Sequence, residues 1–244
     1  MDRILVTGST DGVGRATAQA LLEAGHGVVV HAHTTSRLDA IANLVDRGAE
    51  AIVGDLSRLD EVHDLIEQAN ALGPFDAVIH NAGVLRGPVL PVNVTAPYVM
   101  TAGIPAARLI YLSSGMHRGG RPDIAGVDWM RGTGTRSYSD SKLFVTALTA
   151  AVARLRPDVV AHAVDPGWVP TRMGGPGASD DLALAHVTQV WLATTTDDEA
   201  RAPGRYWHHR KVQDTHPAVR DVDFQQALLA SLAEQTGVEL PAAR

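Results

Sequence analysis

The first regular element and the turn after it read Arg3-Ile4-Leu5-Val6-Thr7-Gly8-Ser9-Thr10-Asp11-Gly12-Val13-Gly14. Arg3 to Thr7 is a short apolar run that breaks at Gly8, and Arg15 to Ala24 follows with helical periodicity. The spacing predicts strand, glycine turn, helix. Such a turn suits a phosphate group. Glycines let the backbone approach the anion, and the helix start supplies free N–H groups and the positive end of its dipole. Gly8, Ser9, Thr10, Asp11, Gly12, Val13 and Gly14 are therefore candidate contacts to a nucleotide phosphate.

Gly25 closes this helix, and Gly27 to Ala32 predicts a second strand. In dinucleotide-binding units an acidic residue at the end of that strand holds the adenine ribose hydroxyls. Here the strand runs into His33-Thr34-Thr35-Ser36-Arg37, and no carboxylate comes before Asp39. His33, Thr34 and Arg37 suit a 2′-phosphate better than a bare hydroxyl, so NADP is the expected cofactor and NAD the alternative. The plainer reading has these residues cap a helix that begins near Ser36. Ala51 to Gly54 predicts a third strand ending at Asp55-Leu56. Asp55 either accepts from the adenine amino group or caps the helix from about Ser57 to Leu72. Phe75 to His80 predicts a fourth strand. The small residues of Asn81-Ala82-Gly83 after it let a cofactor lie against the backbone. Strands alternating with helices imply a parallel sheet with right-handed crossovers.

Further along, Ser137-Tyr138-Ser139-Asp140-Ser141-Lys142 precedes the apolar run Leu143, Phe144, Val145, Ala147, Leu148, Ala151. A helix there puts Tyr138 and Lys142, four residues apart, on one face. A phenol titrates near pH 10. A neighbouring ammonium stabilises the phenolate and makes the pair a candidate general acid and base. A surface Tyr and Lys would give the same pattern. However, the chain has only two lysines, Lys142 and Lys211, against nineteen arginines, and the two cations are not interchangeable.

Composition narrows the remaining choices. The 244 residues carry a formal net charge of −6, with 45% hydrophobic and 20% charged residues, as in an ordinary soluble globular chain. No repeat, low-complexity tract or linker divides it, so one domain over 1–244 is expected. There is no cysteine, hence no disulfide or thiolate metal site. His208-His209 and the alternating His31 and His33 lack a carboxylate at ligand spacing, and no metal is expected. No apolar run is long enough for a bilayer, and no basic stripe suggests nucleic acid as partner. The chain enters its first strand pattern without a cationic leader, so a signal peptide is not expected and a cytoplasmic location is.

Thr7-Gly8-x-x-x-Gly12-x-Gly14, Asn81-Ala82-Gly83 and Tyr138-x-x-x-Lys142, in this order, resemble the short-chain dehydrogenase/reductase family over nearly the whole chain. The glycine spacing is that of the family's ordinary members, not of its extended, epimerase-like branch. The resemblance implies an α/β, doubly wound Rossmann-type three-layer sandwich with a mostly parallel sheet of about seven strands. It implies hydride transfer between NAD(P)(H) and a carbonyl or alcohol. Tyr138 would be the proton donor, with Lys142 acidifying it and binding the nicotinamide ribose. Ser114, of the pair Ser113-Ser114 after the strand Arg108 to Leu112, would orient the substrate oxygen, with Ser113 as the local alternative. Asn93, in Val92-Asn93-Val94, would order a water beside the lysine. After a sixth strand, Val159 to Val164, the segment Pro166-Gly167-Trp168-Val169-Pro170-Thr171 resembles the family motif that holds the nicotinamide carboxamide. Pro166, Gly167, Val169 and Thr171 are its candidate contacts.

One region departs from the family. Twelve positions separate Asn81 from Asn93 and twenty separate Asn93 from Ser113, too few for two full helices. Pro88, Pro91, Pro97 and Pro105 oppose long helices there. Members commonly dimerise through this region, so the shortening puts a homo-oligomer in doubt and opens the substrate side. Ser113-Ser114-Gly115-Met116-His117 and Val127-Asp128-Trp129 resemble the retinol-dehydrogenase-like branch, which implies an apolar small-molecule substrate. His117, Trp129, Trp168 and Met173 are candidate substrate contacts, and Met173 to Gly177 a candidate lid. Asp180 to Ala193 predicts a helix, Gly204 to Trp207 a seventh strand, and Asp223 to Glu234 a terminal helix. The alternative function is a non-catalytic dinucleotide-binding regulator on the same scaffold.

Overall fold

The computed structural model describes residues 1–131 and 136–241. Its centre is a single sheet in the order β3-β2-β1-β4-β5-β6-β7-β8. The strands are β1 Arg3–Val6, β2 Gly27–Ala32, β3 Glu50–Val53, β4 Phe75–His80, β5 Ala106–Leu112, β6 Val160–Asp165, β7 Arg205–His208 and β8 Lys211–Gln213. The first seven pair in parallel. Chain order reverses between β1 and β4, and a parallel sheet opens a crevice at that point, beyond the carboxyl ends of its strands.

Alternation along the strands sends side chains to two cores. Leu5, Val29, Val78 and Leu109 pack on one face under α3 Leu59–Leu72, α4 Ala96–Gly103, α5 Tyr138–Leu155 and α7 Val222–Thr236. Ile4, Val6, Val30 and Ile110 pack on the other under α1 Gly12–Glu23, α2 Ala42–Val45 and α6 Val187–Thr194. This is the expected three-layer sandwich. Among the described residues no helix is long and apolar enough to cross a membrane.

Three details differ from expectation. The sheet has eight strands, because β7 turns at His209 and Arg210 into the short antiparallel β8. Both turn residues adopt positive φ, +47° and +59°. Such a turn usually announces itself with Asn or Gly, and nothing in His209-Arg210 does. The helix expected from Asp180 begins only at Val187. Asp180 instead accepts from the Trp168 amide at 2.7 Å, and Asp181 caps a short 3-10 turn, Leu182–Leu184. The shortened region holds one helical passage, a π-helical turn Pro91–Thr95 running into α4.

Candidate active site

The crevice at the reversal point is a cleft of about 800 Å³. Its floor is made of backbone laid against backbone. The Asn81 amide donates to the carbonyl oxygens of Thr7 and Gly8 at 2.8 and 3.2 Å, and the Ala82 N–H donates to the Thr7 hydroxyl at 3.0 Å. Gly8 sits at φ +66°, where a Cβ would come within 2.8 Å of Ala82 Cα. A Cβ on Gly14 would collide with the Asn81 amide. Asp11 caps α1, accepting from the Gly12 N–H at 2.8 Å. Gly8, Thr10, Asp11, Gly12, Val13, Gly14, Asn81, Ala82 and Gly83 all line the cleft. Ser9 does not: it is fully buried, and its hydroxyl donates to Val6 and accepts from the His31 N–H.

At one end the cleft is lined by His33, Arg37, Asp55 and Leu56. The Arg37 guanidinium donates to the Thr10 hydroxyl at 3.3 Å, which sets a cation beside the glycine turn. Asp55 accepts from the Ser57 N–H at 2.8 Å while still lining the cleft. Thr34 lies outside it, its hydroxyl 2.9 Å from that of Ser36.

At the other end stand Tyr138 and Lys142, both lining the cleft from the first two turns of α5. A reciprocal cap starts that turn where it does. Ser137 accepts from the Asp140 N–H, and the Asp140 carboxylate accepts from the Ser137 N–H at 2.9 Å. Lys142 is 4% exposed. Its ammonium donates to the Leu112 carbonyl at 2.6 Å and lies 5.4 Å from the Tyr138 ring centre. Burial lowers its pKa to about 8, against a smaller upward pull from Asp165. Tyr138 is not acidified here. Burial pushes its pKa up to about 12, Asp165 adds to the rise, and a hydrogen bond with Ser114 opposes it. The phenol is therefore held as a proton donor.

The second serine is the one beside the phenol. The Ser113 hydroxyl, although Ser113 lines the cleft, lies 2.6 Å from Thr146 Oγ1 on α5. Asn93 sits in the π-helical turn, buried one layer behind the cleft. It accepts from the Val84 N–H at 2.8 Å and donates to the Val84 carbonyl and the Ser141 hydroxyl, each at 3.0 Å. Gly83 lies close to both Asn93 and the lysine. A Cβ on Gly83 would meet Asn93 Oδ1 at 3.3 Å and Lys142 Nζ at 3.6 Å.

Pro166, Thr171 and Met173 line the cleft. Gly167 and Val169 stand behind it, Gly167 donating to Asp165 at 3.0 Å and Val169 accepting from Thr171 at 2.8 Å. Thr171 lies across the glycine turn, so a Cβ on Gly12 would meet its Cγ2 at 3.0 Å. Three candidate substrate contacts fall elsewhere. Trp129 is fully buried under α7, its ring edge-on to Phe144 and its indole donating to Ser231 at 2.8 Å. His117, also fully buried, contacts the Ser114 carbonyl at 2.7 Å and accepts from the His216 N–H at 3.3 Å. Trp168 is 56% exposed and donates to the Gly174 carbonyl. Residues 132–135 of the stretch between Ser114 and Tyr138 lie outside the described residues. Sequence reasoning passed over Arg172, which lines the cleft 3.9 Å from Asp11, and Leu85, Arg86 and Pro88, which also line it. Their only signal is adjacency to the Thr171 and Asn81 motifs.

Comparison with known proteins agrees with this geometry. A family model described as short chain dehydrogenase matches residues 2–104. A short-chain dehydrogenase of Penicillium rubens, chyC, is 34% identical across 99% of this chain and 100% of its own. Human retinol dehydrogenase 13 is 24% identical across 99% of this chain and 86% of its own. A short chain dehydrogenase of Shigella flexneri, solved as a complex with NADP, superposes with a TM-score of 0.70 at 22% identity, covering 86% of this chain and 97% of that one. The chain belongs to the short-chain dehydrogenase/reductase family and is an NAD(P)-dependent oxidoreductase.

Proposed function

We propose that this protein reduces a ketone or aldehyde with an apolar body, using NADPH, and catalyses the reverse oxidation only at alkaline pH. The observation that carries this reading is the pair of half-buried Tyr138 and buried Lys142, one helical turn apart at the cleft, with Ser114 hydrogen-bonded to the phenol. The glycine cradle and the start of α1 fit a dinucleotide. When bound, the nicotinamide supplies a hydride to the carbonyl carbon. Tyr138 gives its hydroxyl proton to the carbonyl oxygen. Ser114 holds that oxygen and shares the charge that develops on it. Lys142 holds the nicotinamide ribose, and Asn93 fixes the Val84 turn and the start of α5 around it. Pro166 and Thr171 line the nicotinamide end of the binding site, with Gly167 and Val169 shaping that segment from behind.

The preference for NADPH rests on Arg37 beside Thr10 and on His33 lining the same cleft, at a strand end with no carboxylate. The apolar substrate rests on Val84, Leu85, Pro88, Val92 and Met173, which line the cleft. The deciding experiment follows nicotinamide absorbance across ketones, aldehydes and secondary alcohols. Turnover of apolar carbonyls is expected, and a protein that binds the dinucleotide without turning over any of them would be a sensor instead. Titration by fluorescence should show NADPH binding at least about tenfold tighter than NADH, a difference of about 1.4 kcal/mol. Tighter NADH would reverse the preference.

A further inference from the structure

The glycine turn and the wall after β3 are joined beneath the cleft by one imidazole. His31 lies in β2, whose neighbours Val28, Val29, Val30 and Ala32 are all buried core. It is itself 2% exposed, yet it contributes to the cleft floor. Nδ1 accepts from the Gly8 N–H at 3.0 Å. Nε2 lies 2.8 Å from the Gly54 carbonyl oxygen. An amide can only donate and a carbonyl can only accept, so these partners fix the ring as neutral, with its hydrogen on Nε2. The main chain of His31 is bound to the same turn. Its carbonyl accepts from the Ser9 N–H at 3.1 Å, and its N–H donates to the Ser9 hydroxyl at 3.2 Å.

All four polar groups of this residue are thus committed to loops that line the nucleotide end. A buried polar side chain is costly unless paired, and a valine would fit the strand pattern better. We propose that His31 is a positioning residue for the adenine half of the dinucleotide: as a neutral Nε2–H imidazole it sets the spacing between the glycine turn and the Gly54–Leu56 wall. This rests on the cofactor reading above. Burial lowers the pKa of His31 to about 4, the nearby His33 also lowering it while Gly54 and Asp55 pull upward. The neutral form therefore persists through the physiological range. Protonation would point an N–H at the Gly8 N–H and part the two loops.

The test uses three substitutions in the full chain. His31→Phe keeps a ring and removes both bonds, His31→Asn can restore the acceptor for Gly8, and His31→Gln the donor for Gly54. His31→Phe is expected to weaken NADPH and adenosine 2′,5′-bisphosphate alike, by about tenfold. The loss should appear in KM for NADPH rather than in kcat, with partial recovery in the Asn or Gln variant. A folded His31→Phe protein that binds both ligands within about twofold of wild type overturns the proposal. If that variant does not fold, nitrogen-15 NMR of the wild type decides. A Nε2–H ring, with Gly8 amide exchange slowed by adenosine 2′,5′-bisphosphate, supports the assignment, and a Nδ1–H ring or unaltered exchange overturns it. A wild-type protein that binds neither NADPH nor NADH defeats the cofactor reading instead, while the tautomer is still measured.

Discussion

At the scale of single residues, the site turns on what surrounds one phenol. Tyr138→Phe removes the proposed proton donor and leaves the cradle intact. It should lower kcat by about 10²–10⁴-fold with little change in NADPH affinity, read by steady-state kinetics and fluorescence titration. The neighbouring carboxylate offers a second test. Asp165 raises the Tyr138 pKa, after burial, because an anion disfavours a second anion nearby. Alcohol oxidation needs the phenolate, so its kcat/KM should climb only at alkaline pH. In Asp165→Asn the rising limb should move to lower pH while staying alkaline, since burial is the larger cause. An unmoved limb in a folded variant would show that the charge does not reach the phenol. Residue types and spacing made Tyr138 and Lys142 readable in the sequence, because four positions along a helix fix a shared face. The direction of the tyrosine shift was not readable, because depth and the approach of Asp165 depend on strands far apart in the chain. Likewise nothing in His117 or Trp129 says that one braces the backbone of Ser114 and the other fills a core.

At the scale of elements, the N-terminal half of α5 is closed off from water. Asp140 to Thr149 are all buried, and α7 packs along the helix with Leu228 and Leu232 in the same core. Tyr98 of α4 donates to the Val238 carbonyl at 2.6 Å just beyond α7. Trp129 is the wedge of that packing. Trp129→Ala should cost about 3–5 kcal/mol of stability, measured by chemical denaturation, while NADPH still binds to the folded fraction. The strands and principal helices were legible because apolar runs, glycines and strand ends punctuate them. β8 was not, because a hairpin at His209-Arg210 carries no turn signature. The late start of α6 was also hidden, because Asp180 serves a segment twelve residues back.

For the whole molecule, several histidines are buried as neutral rings. Burial lowers His31 and His162 to about 4 and His80 to about 3. In the unfolded chain each returns to its ordinary value of about 6.5. Between those values the unfolded chain binds protons that the folded one refuses, so stability falls as pH drops. Each group contributes on the order of 1 kcal/mol per pH unit. Urea midpoints should therefore decline from pH 6.5 towards pH 4, and His80→Asn should flatten that decline. Eleven histidines were visible in the composition, but which of them are denied water is a property of the assembled sheet. Thr171, resting against Gly12, has a kinetic meaning as well. Its methyl group faces the turn proposed to hold the nucleotide phosphates, so spent coenzyme is expected to leave past that contact. Rapid mixing should then show a burst of product in the first turnover, followed by a slower rate paced by that departure.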